Sequence, residues 1–148
     1  MKTFGIAFTI MISSILVFGQ KSVEIPFKEA KNYFVRNDFK IEKFSNPKIE
    51  NQSRFDEIFS GAPLMGEEGR PTVIDFSKQF VIAIIQKETN KANTLIIKNL
   101  TKTKKGTLNL LYQYTQGKEQ SYTTVPCVIL IVDNKYKSKV VLQRVGEK

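Results

Sequence analysis

The run Phe80-Val81-Ile82-Ala83-Ile84-Ile85 has no polar interruption and is rich in β-branched side chains. At this length it reads as a strand buried on both faces, which must therefore lie centrally in a sheet with cover on either side. A second apolar run, Cys127-Val128-Ile129-Leu130-Ile131-Val132, closes a strand read over residues 121–132. Around these, residues 94–100 and 107–114 read as a hairpin turning at Lys104-Lys105-Gly106, with Leu108, Leu110, Tyr112 and Tyr114 on one face. A last strand is expected over 139–145 after the turn Asp133-Asn134-Lys135. The short connections favour antiparallel neighbours, since a parallel pair within one sheet needs a crossover of a dozen or more residues.

Upstream, Val23, Ile25 and Phe27 alternate with other positions, and Tyr33 with Val35, then Phe39 with Ile41, continue the period of two as half-buried strands. Pro26 removes a ladder donor and confines the first strand to an edge or a bulge. One helix is expected where Phe55, Ile58 and Phe59 fall at i, i+3, i+4, capped by Asn51 or Ser53, with Asp56 and Glu57 complementing its dipole and Ser60-Gly61 ending it. The fold class is α+β, mostly β: an antiparallel sheet with one short helix packed against it.

Residues 1–19 read as an export signal, with Lys2 as the charged start, an apolar core from Phe4 to Phe18, and a cleavage site at Val17-Phe18-Gly19, so that the mature chain begins at Gln20 as one β-rich domain to residue 148. The apolar stretch is shorter than the roughly 20 residues of a membrane span. Removing it takes Lys2 and leaves 22 basic against 14 acidic residues, a net +8. The product is expected in the periplasm or secreted, with no membrane span. Its lysines are spread along the chain, so no nucleic-acid groove is implied.

The sequence contains no histidine and one cysteine. That excludes Ser-His-Asp and Cys-His catalysis and histidine-ligated metal, and it excludes an intrachain disulfide. Cys127, inside an apolar run, reads as a buried, unreactive thiol. Asp75 is the one carboxylate whose burial could raise its pKa. The preferred reading makes it a cap for the turn amides of Ser77 to Gln79, because no second carboxylate lies at a useful spacing. No catalytic residue, metal or cofactor is assigned.

Three features offer binding surfaces. The loop from Gly61 to Pro71 carries Leu64, Met65 and Arg70 among glycines and prolines; its apolar pair either meets a protein partner or tucks back over the helix. Tyr112, Tyr114 and Tyr122 either line a ligand face or form cross-strand pairs. The lysines of two turns, Lys102, Lys104 and Lys105, and Lys135, Lys137 and Lys139, either bind an anionic glycan or lipid or serve as solvated ends.

The segments Ile74-Asp75-Phe76-Ser77-Lys78-Gln79-Phe80-Val81-Ile82-Ala83, Gln86-Lys87-Glu88-Thr89-Asn90 and Tyr122-Thr123-Thr124-Val125-Pro126-Cys127-Val128 together resemble the PrcB C-terminal domain family, over about residues 72–135. The resemblance implies a small exported β-rich module without catalytic residues of its own, associated with a protease. Where that family carries a Thr-Gly-Gly-Tyr-like turn, this chain has Thr89-Asn90-Lys91-Ala92-Asn93. The expected function is a non-enzymatic exported binding module for a protein partner. The alternative is a periplasmic or surface module that binds an anionic glycan or lipid.

Overall fold

The computed structural model describes residues 21–62 and 66–146. The export-signal reading and the Leu64-Met65 contact fall outside these residues.

Among the described residues, ten strands and one α-helix form three layers. The outer sheet has the order β1 (Val23–Glu24), β7 (Thr89–Lys102), β8 (Leu108–Thr124), β10 (Val140–Arg144). The central sheet has the order β2 (Lys28–Glu29), β9 (Cys127–Asp133), β6 (Gln79–Ile85), β4 (Lys48–Ile49). The third layer is the helix α1 (Gln52–Ile58) with a ribbon of β3 (Tyr33–Val35) and β5 (Phe59–Gly61).

The central position of the apolar runs follows from their two covered faces. Phe80, Ile82 and Ile84 of β6 and Val128, Leu130 and Val132 of β9 pack with Leu100, Leu108 and Leu110 of the outer sheet. The intervening residues Val81, Ala83 and Ile129 pack with Phe55, Ile58 and Phe59 on the opposite side. Antiparallel pairing sets Ile82 opposite Leu130 and Val81 opposite Ile131, so both strands present matching faces. With no solvent-facing side, neither strand can alternate polar with apolar residues.

β6–β7 and β8–β9 form one long two-stranded ribbon folded over so that its halves become different sheets. The register slips between Thr89 and Asn93 opposite a longer stretch of β8, which lets the ribbon turn the corner. Between Ile97 and Asn99 a bulge inserts Lys98 and reverses the facing of β7. Leu95 and Ile97 face the core on one side of it, and Leu100 on the other. At the ribbon tip Gly106 takes φ +84°, which an L side chain rarely adopts.

Four local expectations are corrected. Strand β10 runs parallel to β8, with Leu142 opposite Leu110; because β9 lies in the other sheet, the chain returns to the outer sheet across layers through the short turn Asn134–Tyr136, with no in-plane crossover. Phe39 and Ile41 do not continue a strand: the Asn37-Asp38 turn breaks the period and a 3-10 turn follows at Ile41–Lys43. Pro26 sits where the chain steps between two edges, so only Ile25 of the alternating trio is buried, at 2 %, while Val23 is 64 % exposed. The Asn51 cap holds, its Oδ1 accepting from the Arg54 amide at 2.8 Å, but Asp56 and Glu57 lie past the first turn. They accept instead from Gln52 and Arg54, each at 2.7 Å. Phe59 leaves the helix for β5 and stays in the core.

Candidate functional site

A cleft of about 930 Å³ lies where the ribbon turns its corner. One wall is the segment Phe39–Phe44, wound tightly by bonds from the Lys43 amide to the Lys40 carbonyl and from the Phe44 amide to the Ile41 carbonyl, both 2.9 Å. The winding aims Phe39, Ile41 and Phe44 along one side. Ile85, the last residue of β6, and Tyr112, from the inner face of β8, supply the rest of the apolar lining. All five are half-buried, so each has surface to offer. Lys40, Glu42, Lys87 and Glu88 edge the cleft with two charges of each sign. Glu88 also accepts from Thr123 Oγ1 at 3.0 Å, tying the rim to β8, and the Arg54 guanidinium lies 5.8 Å from the Phe39 ring centre, steadying that wall.

The sequence reading included Tyr112 but missed the partners that make it part of a cleft. The signal was present in Asn37-Asp38, a turn-favouring pair that interrupts the apparent alternation. Tyr114 is placed differently. It is 9 % exposed, its ring lies 5.1 Å from the Arg144 guanidinium, and its hydroxyl accepts from Gln116 at 2.9 Å. Opposite Leu95 in the ladder, it is a cross-strand core residue and presents no binding face. Tyr122 is 58 % exposed, away from both.

The described part of the loop from Gly61 to Pro71 is held firmly at its ends. Asn32, at φ 63°, donates through Nδ2 to the carbonyls of Glu68 and Arg70, and its own carbonyl accepts from the Ala62 amide at 2.8 Å. A β-carbon on Gly61 would lie 2.8 Å from Pro71 Cγ, so any other residue there would force the two loop ends to shift. Arg70 is exposed, which leaves its side chain accessible while its backbone is fixed.

Asp75 caps the turn before β6: its Oδ1 accepts from both the amide and the hydroxyl of Ser77. These bonds, with a smaller contribution from Lys78, hold its carboxyl below the usual carboxylate range, the opposite of what a general acid needs. Burial pushes the Cys127 thiol up to about 11, so it is protonated at neutral pH.

The two lysine-bearing turns come together at the end of the molecule opposite the cleft. The Leu108 amide donates to the Lys139 carbonyl at 2.8 Å, and Tyr136 shares a small notch with Lys102 and Lys104. No family model, curated protein or solved structure matches the chain.

Proposed function

We propose that this chain is a non-enzymatic, exported binding module that holds a segment of a protein partner in the cleft beside Tyr112. One observation carries the reading: a cleft with an apolar lining and a rim of balanced charge. A polypeptide offers apolar side chains and both signs of charge, which this surface complements; a polyanion would find two carboxylates in its way. An open groove between a turn and a strand end suits an extended segment with one or two apolar anchors. The resemblance to the PrcB C-terminal domain family makes an exported protease the partner class to try first. The capping role of Asp75 and the protonated state of Cys127 fit a molecule that binds without transforming.

The experiment is a selection of displayed random peptides on the folded domain, followed by affinity measurement against Ile41→Asp. Ile41 lies on the cleft wall, outside both hydrophobic cores, so the variant should melt with the parent. Peptides with an apolar anchor that lose at least tenfold in affinity on Ile41→Asp support the reading. Selected peptides that bind the variant equally, or no selected peptide at all, reject it.

A further inference from the structure

We propose that the lysine-rich end is a second binding surface, which docks on an anionic phospholipid membrane. Two turns remote in sequence build it: the ribbon tip with Lys102, Lys104 and Lys105, and the β9–β10 connection with Lys135, Lys137 and Lys139. The Leu108–Lys139 backbone bond and the pairing of Val140 with Leu108 hold the turns side by side. Of the six lysines only Lys137 is close to a carboxylate among the described residues, at 3.3 Å from Glu50. The others are left to act together, since the fields of neighbouring cations add over a Debye length, about 8 Å at physiological ionic strength.

Charge alone would suit any polyanion, and the notch selects among them. It has a volume of about 310 Å³ and is floored by Val23, Ile25 and Tyr136, with Lys21 and Lys104 at its edge. Val23 stands 64 % exposed amid these cations, and Lys135 Nζ lies 4.9 Å from the Tyr136 ring centre. A hydrated polysaccharide gains little from an exposed valine beside an apolar notch. A lipid interface does gain: lysines reach the phosphates while Val23 and Tyr136 meet the boundary of glycerol and acyl chain. The surface lies at the other end from the cleft, so membrane docking would leave the cleft open to a protein partner.

The test is co-sedimentation of the signal-free chain with equimolar phosphatidylglycerol–phosphatidylcholine vesicles at low and physiological salt. Each lysine near such a surface strengthens binding about fivefold. Lys104→Glu with Lys105→Glu, and separately Lys135→Glu with Lys139→Glu, should each weaken binding at least about 25-fold. Val23→Ser should weaken it by a factor that salt does not alter. Lys91→Glu with Lys118→Glu, the same charge change at the opposite end, should leave it nearly unchanged, as should Ile41→Asp. All the replaced lysines are exposed, and glutamine at the same positions gives a milder series in the same order. Equal loss from the Lys91 and Lys118 pair would mean that net charge alone drives binding, and would overturn the proposal. So would absence of binding to anionic vesicles, or dextran sulfate held as tightly as vesicles and insensitive to Val23→Ser.

Discussion

Asn32 and Arg70 are 38 positions apart and joined by a hydrogen bond from the side-chain amide of the first to the carbonyl of the second, 3.1 Å long. The same amide serves Glu68, and Asn32 holds a left-handed backbone that asparagine tolerates better than most residues. One polar residue therefore anchors the far end of the loop that the sequence marks out by its glycines and prolines.

Replacing Asn32 tests the anchor. Asn32→Ala loses two hydrogen bonds and strains the backbone, and should destabilise by about 2–3 kcal/mol. Asn32→Gly loses the bonds but relieves the strain, and should cost about 1 kcal/mol less. Urea unfolding of the two variants checks the order; equal losses would show that the conformation contributes nothing.

The two-sided burial of β9 predicts that neighbouring residues are equally intolerant. Ile129→Ala and Leu130→Ala point into different cores and should each cost about 2–5 kcal/mol. Ile96→Ala, on the outer sheet and 44 % exposed, should cost less than about 1 kcal/mol. Denaturant midpoints for the three variants are sufficient, and a strand with one solvent face would spare either Ile129 or Leu130.

The Cys127 thiol should resist alkylation by iodoacetamide at pH 8 in the native chain and react readily once unfolded. Its folded pKa of about 11 lies above the ordinary 9.0, so between those values the unfolded chain binds fewer protons than the folded one. Stability must fall as pH rises through this window, by up to about 3 kcal/mol. Cys127→Ala should remove that slope, which thermal melts at a series of pH values would reveal.

Asp75 has the opposite sign. Its carboxyl is held below 3.8 by Ser77, so the stability it adds is present above that pH and is lost as acid protonates the folded form. Asp75→Asn should flatten the acid limb of the stability profile and leave peptide binding at the cleft unchanged. Loss of binding without loss of stability would give Asp75 a role beyond its cap.

The layers were more legible than the connections. The Phe80–Ile85 run announced a strand covered on both sides, because burial on two faces erases alternation in a way that little else does at that length. The hydrophobic triad Phe55, Ile58 and Phe59 and the Asn51 cap likewise marked the helix, whose last apolar member proved to start a strand. Less could be read where a single residue resets the geometry. Lys98 carries no mark of the bulge that reverses β7, and nothing local to Val140–Arg144 says that its neighbour lies across a layer change. The cleft was hidden for the same reason: Phe39 and Ile41 read as part of a strand until a tight turn sets them, with Phe44, in one cleft with Tyr112.

Site-specific photo-crosslinking in the full chain tests most directly that the cleft is where a partner is held. A photoreactive phenylalanine analogue at Ile41 should capture an extended segment of one partner protein, and Phe44→Ser should abolish the adduct; the same analogue at Val141, 42 % exposed on the outer sheet, should capture none. Adducts that form equally at Val141, or that survive Phe44→Ser in a chain still folded, would contradict the account.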